Sequence, residues 1–446
     1  MNIVIAGGGR VGMHLARLLS DERQEITVIE SDPGRLEEID EELDVSSIEG
    51  DGSSVMLLQS VGVSAADLFV ASMGNDEANL IAAATAKGLG AKQSVARVDN
   101  PMYIESHILY ETILGLDFIL SPEALAALEI AFYVENPGVI ASEDFAQGLV
   151  RMHQIRVNRS PADQAKPLKD LLPPGTGVLL GVINRHGKSF IPHGDSRIEP
   201  GDHVTLFGQS GQLEKAHRLF YQAEAHPRRV AIMGGGKMGL LLAQALEDKV
   251  KTVKIFERRQ ERSEELSEKL TKAKVVCRDA VSRTSLEQEH IDEFDVFVAA
   301  TRDDERNIMA GVLAKEVGVR DVVAIVHQPD FAPLVTRLGI DLAITPRASI
   351  ANRIVRLMHQ KEVTSLAVIG EGQVEVLEFT LNEKSPLTGK RLKELKIPRG
   401  ALVAAIMREK RVIVPGGDDR LQGGDHVVVI TMADTLEPAR KLFQKQ

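Results

Sequence analysis

The chain has 446 residues, a net charge of -11 at pH 7, one cysteine and no tryptophan. Its acidic balance and scarce aromatic residues argue against nucleic acid or an anionic lipid surface as the main partner. The single cysteine excludes an internal disulfide, no apolar run approaches the roughly 20 residues of a membrane span, and a strand expected from residue 2 leaves no room for a signal peptide. A cytoplasmic protein of about three or four domains is therefore expected.

The first 135 residues alternate short apolar strands with helical segments. Strands are predicted at 2–6, 25–30, 45–48, 67–72, 94–98 and 117–120. Helices are predicted at 10–20, 33–43, 54–61 and 76–89, and from Ser121-Pro122, where Ser is the N-cap, to about 134. This alternation is typical of an α/β domain with a doubly wound parallel sheet.

The first strand leads into Gly7-Gly8-Gly9-Arg10-Val11-Gly12, a Gly-x-Gly-x-x-Gly motif. Gly7 permits a tight turn, Gly9 lets a pyrophosphate approach the backbone, and Gly12 lets the next helix pack closely on the sheet. The second strand ends in Glu30, which can accept hydrogen bonds from ribose hydroxyls and would repel a 2′-phosphate. The motif predicts a Rossmann-like site that prefers NAD(H) or an adenine nucleotide to NADP(H).

From about residue 145 to 222 the pattern changes to short alternating strands with tight turns. A hairpin is expected around His186-Gly187, a turn at Pro200-Gly201-Asp202, and a closing helix at about 210–222. These features predict a small α+β module that is separate from the first sheet.

The second half of the chain repeats this order. Arg229–Met233 leads into Gly234-Gly235-Gly236-Lys237-Met238-Gly239, and Glu257 follows Gly234 by 23 residues, as Glu30 follows Gly7. We therefore predict two Rossmann-like N-lobes, each followed by a small C-lobe. The expected domains are residues 1–135, 143–224, 228–359 and 364–446, with linkers at about 136–144, 223–228 and 359–365.

Further motifs strengthen the assignment: Glu49-Gly50-Asp51-Gly52-Ser53, Asn75-Asp76-Glu77-Ala78-Asn79, Ala96-Arg97-Val98-Asp99-Asn100-Pro101, Leu168-Lys169-Asp170-Leu171 and Leu392-Lys393-Glu394-Leu395. With the duplicated glycine turns, they make the chain resemble the TrkA family over essentially its full length. These proteins are the cytosolic regulatory subunits of Trk-type bacterial potassium uptake systems, and their domains are called RCK domains.

The resemblance implies that the first N-lobe binds NAD(H), with ATP or ADP as alternative ligands. It implies phosphate contacts from Gly7 to Val11, a ribose contact from Glu30, Asp51 and Gly52 near the adenine, and a border formed by Ser72, Met73 and Gly74. It also implies that Arg97 faces the phosphates. A guanidinium at the end of a parallel strand independently suits that role, although a surface ion pair would explain Arg97 as well.

The second copy departs from this pattern. Asp279 matches Asp51, but Ala280 and Ile325 replace Gly52 and Arg97, and Thr301 replaces Met73. The corresponding candidate residues are Gly234, Gly235, Gly236, Lys237, Met238, Gly239, Glu257, Asp279 and Thr301. We expect this site to bind nucleotide more weakly or to prefer a different one, with an empty structural site as the alternative.

The resemblance also implies a partner and an assembly: a homotetramer beneath a TrkH-like membrane subunit that translocates potassium, peripheral to the membrane through that partner. The helices after Ser121-Pro122 and Thr345-Pro346 resemble the family's crossover helices, which pack between neighbouring lobes. Apolar side chains in the first of them suit that role, although an internal core face would look the same: Leu125, Ala126, Leu128, Ile130 and Phe132. An NAD-dependent oxidoreductase and a regulator of a potassium/proton antiporter are the alternatives.

No catalytic or metal-binding set is expected from the sequence. No Tyr-x-x-x-Lys motif is present, since His107 and Leu114 follow Tyr103 and Tyr110 by four residues. His186, His193 and His203 match no strong metal-ligand spacing and are expected in turns or on the surface. Cys277 is predicted to be a packing residue.

Overall fold

The computed structural model describes residues 1–20, 24–145, 148–158, 166–173, 175–221, 228–328, 331–359, 367–369, 373–409 and 411–444. They form two compact units, one containing Met1–Glu135 and Pro227–Val355 and the other containing Asn136–His226 and Arg356–Gln446. The two N-lobes therefore belong to one unit and the two C-lobes to the other, although the sequence alternates them.

The first N-lobe contains a six-stranded parallel sheet. Its strands lie in the order Ser46–Glu49, Glu25–Glu30, Asn2–Ala6, Leu68–Ala71, Ser94–Arg97 and Phe118–Leu120. Strand Leu68–Ala71 is buried along its whole length, as expected where helices cover both faces of a sheet. The strand order reverses beside Asn2–Ala6, and the ends of this strand and Leu68–Ala71 form the crevice where such sheets bind ligands.

Six described helices connect these strands: Arg10–Ser20, Pro33–Glu42, Val55–Ser60, Asp76–Leu89, Pro101–Glu105 and His107–Leu114. A seventh, Pro122–Glu135, follows the last strand. Their starts follow local capping chemistry, because Asp32 and Asn75 accept hydrogen bonds from backbone N–H groups in the first turns that they precede. The helices at 101–105 and 107–114 were not predicted. Asn100 caps the first of them with Pro101 at its start, a signal that the sequence contains.

The second N-lobe repeats the arrangement. Its strands lie in the order Lys274–Cys277, Thr252–Glu257, Arg229–Met233, Val296–Ala299, Asp321–Ile325 and Leu342–Ile344, again all parallel. Its described helices are Lys237–Leu246, Gln260–Lys269, Arg283–Gln288, Asp304–Glu316, Ala332–Arg337 and Pro346–His359. Cys277 is exposed at the end of the edge strand, so its prediction as a packing residue is wrong; the edge strand is covered incompletely.

The last helix of the first N-lobe, Pro122–Glu135, is the first crossover helix, and Pro346–His359 is the second. Ala126, Ile130 and Val134 of the first crossover helix are buried in one core with Ile232 and Leu242 of the second N-lobe. Polar contacts continue along it: the Ser349 hydroxyl donates to the Glu129 carboxylate at 2.7 Å, and Lys249 pairs with Glu135 at 2.7 Å. The first crossover helix thus joins the two N-lobes into one unit.

Each C-lobe contains a five-stranded antiparallel sheet. The first has the strand order Lys188–Phe190, Val178–Arg185, His203–Gly208, Val150–Arg156 and Val139–Phe145. The second has the order Ala367–Ile369, Val374–Thr380, His426–Met432, Ala401–Arg408 and Arg411–Ile413. Helices accompany these sheets at Leu168–Leu171, Ser210–Phe220 and Leu436–Phe443, with 3₁₀ turns at Leu392–Glu394 and Ala433–Thr435. The N-lobes contain 3₁₀ turns at Val63–Ala65 and Ile291–Glu293.

The predicted fold class, two doubly wound N-lobes with small α+β C-lobes, is confirmed. The linker expected at 136–144 is wrong, because strand Val139–Phe145 occupies most of it and buries its two end residues. Its inner residues are mostly polar, which hides the strand in the sequence. The linkers expected at 223–228 and 359–365 lie almost wholly outside the described residues.

The repeated Gly-Asp-His segment has a structural role in each C-lobe. The buried Asp202 carboxylate accepts two hydrogen bonds from Arg185 at 2.8 Å, and Asp425 accepts two from Arg408 at 2.8 Å. The expected hairpin is present, with His186 and Gly187 both at positive φ. His193 is exposed and His203 is half-buried, and the described residues contain no group of metal ligands.

Among the helices that the structure describes, none has both the length and the apolar character needed to cross a bilayer.

The packing of the first crossover helix gives a stability prediction. Ile130→Ala should lower the free energy of unfolding by about 2–5 kcal/mol, because Ile130 is fully buried in the core of the second N-lobe. Leu128→Ala, on the same helix but 61% exposed, is the matched control and should change it by less than about 0.5 kcal/mol. Urea unfolding measures both, and equal effects would contradict this packing.

Candidate functional site

The glycine turn of the first N-lobe lies at the crevice between strands Asn2–Ala6 and Leu68–Ala71. Gly7 has φ of 103°, and a Cβ there would lie 2.8 Å from the backbone N of Met73. A Cβ on Gly12 would lie 1.9 Å from the Gly7 carbonyl oxygen. The turn therefore requires glycine at both positions, while Gly9 has open space where a ligand can approach.

Glu30 is held in place by backbone donors. Its carboxylate accepts hydrogen bonds from the N–H groups of Gly8 at 2.7 Å, Ser31 at 2.8 Å and Asp32 at 3.0 Å. The side chain is buried but lines the cleft. A fixed acceptor of this kind beside a glycine turn suits the paired hydroxyls of a ribose.

Asp51 and Gly52 also line the cleft. The backbone N–H and the hydroxyl of Ser53 donate to Asp51 and hold the pKa of its carboxyl below the ordinary value. A Cβ on Gly52 would lie 2.6 Å from the Cβ of Ala6, so the chain approaches the first strand closely here.

Asn79 organises the opposite border. Its amide donates to the carbonyls of Met73 at 3.0 Å and Arg97 at 2.9 Å, and its oxygen accepts from the Met73 N–H at 2.8 Å. Ser72 donates to the Gly7 carbonyl at 3.0 Å. These bonds tie the ends of three neighbouring strands together and leave Met73 and Gly74 facing the cleft.

Arg97 makes the ion pair that the sequence allowed and also lines the cleft. Its side chain is 17% exposed, lines the cleft, and pairs with Asp99 at 2.6 Å while donating to the Met73 carbonyl at 3.3 Å. The Nε atom is buried without a hydrogen-bond partner among the described residues. The guanidinium is thus positioned at the strand end where a phosphate would lie.

The cleft has a volume of about 330 Å³. It brings together nearly all the residues expected for the first site: Gly7, Gly9, Arg10, Val11, Glu30, Asp51, Gly52, Ser72, Met73, Gly74 and Arg97. Gly8 and Gly12 lie behind this lining, where Gly8 donates to Glu30 and Gly12 packs against Gly7.

Among the lining residues that sequence reasoning missed, four lie far from the glycine turn in the sequence. Glu123 starts the first crossover helix, while His327, Pro346 and Arg347 come from the second N-lobe. Burial and the nearby charge of Arg10 lower the pKa of Arg347, which places two cations close together at the phosphate end. Only the packing of the two lobes reveals this, since more than 300 residues separate Arg10 from Arg347.

The second cleft repeats the glycine turn and the buried acid. Gly234 has φ of 110°, and a Cβ on Gly239 would lie 1.9 Å from the Gly234 carbonyl oxygen. The Glu257 carboxylate accepts from the N–H groups of Gly235 at 3.1 Å and Arg259 at 2.9 Å. Of the residues expected here, the cleft is lined by Gly234, Gly236, Lys237, Met238, Glu257, Asp279 and Thr301, with Gly235 and Gly239 behind.

The second cleft differs in size and in its charged groups. It has a volume of about 880 Å³, and Ile325 and Ala280 stand where the first site has Arg97 and Gly52. Asp279 is held by two hydrogen bonds from Arg306, at 2.7 and 2.9 Å, and Arg302 lies where the first site has Gly74. The two clefts therefore have the same backbone but different chemistry.

Comparison with known families agrees with this architecture. The TrkA-N domain model matches residues 3–122 and 230–346, and the TrkA-C domain model matches residues 152–221 and 376–444. The Trk system potassium uptake protein TrkA homolog 1 of Methanosarcina mazei is 34% identical over 452 residues, which cover 100% of both chains. The TrkA protein of Halomonas elongata is 30% identical over 452 residues, covering 100% of this chain and 99% of its own.

Solved structures share the fold. The GsuK RCK domain has a TM-score of 0.64 at 18% identity and covers 100% of this chain and 95% of its own. A GsuK channel described as bound to NAD has the same TM-score and identity, and 79% of that chain is covered. At this level of identity the similarity establishes the tandem RCK fold.

Proposed function

The chain belongs to the TrkA family of potassium uptake proteins, and we propose that it binds NAD(H) or adenine nucleotides in its first N-lobe to gate a membrane potassium channel. This family consists of regulatory subunits of potassium transport, which confirms the prediction that the chain is not an enzyme and sets aside the oxidoreductase alternative. The relatives named above are potassium uptake proteins, which favours uptake over regulation of an antiporter.

The observation that carries the nucleotide proposal is the position of Glu30. Its carboxylate is held by the Gly8 N–H beside the glycine turn, at the crevice where the strand order reverses. Arg10, Arg97 and Arg347 lie at the other end of the same cleft, where they suit phosphates. One GsuK structure is described as bound to NAD and another as bound to ADP, which supports the same ligand classes here.

The ribose end of the first cleft favours an unphosphorylated ribose. Glu30 and Asp51 line it, and Asp32 lies two residues beyond Glu30. A 2′-phosphate would be repelled by these carboxylates, so we propose a preference for NAD(H), ATP or ADP over NADP(H).

The cleft also offers a way to couple ligand binding to the arrangement of the lobes. One wall belongs to the first N-lobe, and Arg347 belongs to the second crossover helix. A nucleotide that touches both walls favours the arrangement in which both contacts exist. A tenfold difference in affinity between two arrangements supplies about 1.4 kcal/mol per site.

Exposed apolar side chains support the proposed homotetramer. Ile81 lies two residues after Asn79, Met309 lies two residues after Asn307, and both are more than half exposed. Ile108, Leu109 and Ile113 on helix His107–Leu114 are also exposed. Exposed apolar side chains that cluster on a surface mark interaction sites, and we propose other copies of the chain as the partner. We propose a TrkH-like membrane partner and a location at the cytoplasmic face of the membrane, which membership of a potassium uptake family supports.

Isothermal titration calorimetry, with NADH added to the full chain, tests nucleotide binding at the first site. Glu30→Ala and Arg97→Ala should each weaken the tighter binding phase by about 10–100-fold, because each removes a hydrogen bond to or from a charged group worth about 1.5–3 kcal/mol. Glu257→Ala, the matching change in the second site, should leave that phase unchanged. Unaltered binding in both first-site variants, or no binding of any adenine nucleotide to the native chain, would overturn the proposal.

Arg347 gives a separate prediction about terminal phosphates. Arg347→Ala should weaken ATP binding by about tenfold while changing AMP binding less than about twofold, because the side chain reaches the phosphate end of the cleft. Arg17→Ala is the control, since Arg17 is exposed and pairs with Glu42. Equal losses for ATP and AMP would exclude a terminal-phosphate contact for Arg347.

A further inference from the structure

The residues that follow the buried acid differ in charge between the two clefts. In the first N-lobe, Ser31 and Asp32 follow the buried acid, whereas Arg258 and Arg259 follow it in the second. Arg262 and Arg278 also line the second cleft, whereas Arg35 is the cation beside Glu30 in the lining of the first. These four guanidinium groups therefore line the second cleft, alongside the carboxylates of Glu257, Glu261, Glu265 and Asp279.

Two of these arginines are anchored by protein partners. Arg262 donates through Nε to the Gly235 carbonyl at 2.8 Å and pairs with Glu265 at 2.6 Å. Arg278 donates to Gln288 at 2.5 Å and lies 3.4 Å from Glu289. These contacts fix the positions of the two guanidinium groups, and each group keeps further N–H donors that these contacts do not use.

The other two are available to a ligand. Within the described part of the chain, the Arg258 guanidinium has no hydrogen bond or ion pair, and Arg258 is exposed on the cleft lining. Arg259 is 68% exposed, and its Nε lies 3.5 Å from the Glu257 carboxylate. The charge of Arg259 therefore offsets the acid that would otherwise repel an anion bound to the ribose, whereas Glu30 is flanked by Asp32.

A phosphate on the ribose fits this arrangement. In Rossmann sites an arginine near the end of the second strand accommodates the 2′-phosphate, and Arg258 occupies that position directly after Glu257. Guanidinium groups bind phosphate oxygens in pairs of parallel hydrogen bonds, which a hydroxyl cannot match. The wider second cleft, about 880 Å³, leaves room for the additional group.

We propose that the second N-lobe binds an adenine nucleotide with a phosphate on its ribose, of the NADP(H) class, through Arg258, Arg259 and Arg278. This inference rests on the proposed function, because it takes both glycine turns as nucleotide sites. The two halves of the chain then sense different nucleotides: the first an unphosphorylated ribose and the second a phosphorylated one.

Isothermal titration calorimetry tests this proposal in a chain that carries both Glu30→Ala and Arg97→Ala, because the two substitutions together weaken nucleotide binding at the first site. NADPH should bind this background at least about tenfold more tightly than NADH, with one site per chain. Adding Arg258→Ser and Arg259→Asp, which copies Ser31 and Asp32 of the first site, should remove the preference. Arg278→Gln is an independent variant that should weaken NADPH binding by about tenfold and NADH binding by less than about twofold.

The phosphate position is resolved by two further ligands. Adenosine 2′,5′-bisphosphate should compete with NADPH, whereas coenzyme A, with a 3′-phosphate on its ribose, should compete only if the arginines accept either position. The reciprocal change Ser31→Arg should raise the affinity of the first site for NADPH relative to NADH, measured in a chain that carries Arg258→Ser and Arg259→Asp.

The possible failures can be told apart. If NADH binds the first site of the native chain but the second site binds NADPH no better than NADH, or binds neither, this inference is wrong and the proposed function stands. If no adenine nucleotide binds the native chain at either site, the proposed function fails as well.

Discussion

The burial of the first crossover helix against the second sheet is the contact on which the rest of the structure depends. Ala126, Ile130 and Val134 of this helix are buried in the core of the second N-lobe, beside Ile232 and Leu242. This exchange makes one unit of two N-lobes and places Glu123 and Arg347 at the starts of the two crossover helices, beside the clefts. Residues of both N-lobes therefore line the first cleft, which a separate Rossmann domain could not achieve.

The duplicated backbone supports two sites with different chemistry. Both turns need glycine at the same positions. The carboxylates of Glu30 and Glu257 each accept a hydrogen bond from a backbone N–H of the neighbouring glycine turn. The surrounding charges differ. In the second copy Ile325 stands in the position of Arg97, and Arg306 donates two hydrogen bonds to the Asp279 carboxylate. Constraints on the backbone thus persist in both copies, while the side chains that face the cleft have diverged. A regulatory subunit with two such sites can respond to two ligands.

Local chemistry explains which features the sequence could predict. The alternation of strands and helices along the chain, the glycine turn and Glu30 depend on neighbouring residues, so the sequence predicts a parallel sheet and most residues that line the first cleft. Arg347 and His327 join that cleft through lobe packing, and strand Val139–Phe145 has mostly polar inner residues; neither leaves a local signal. Cys277 was assigned to the core from residue type alone, but it lies on an edge strand where burial is incomplete.

The central claim is that nucleotide in the first cleft controls potassium movement. The most direct measurement is potassium flux through the membrane subunit reconstituted in vesicles with this chain, with and without saturating NADH, ATP or ADP. We expect the flux to change with at least one nucleotide for the native chain and to stay constant for Glu30→Ala. A flux that is the same with and without every nucleotide, while calorimetry finds the first site occupied, would contradict the account.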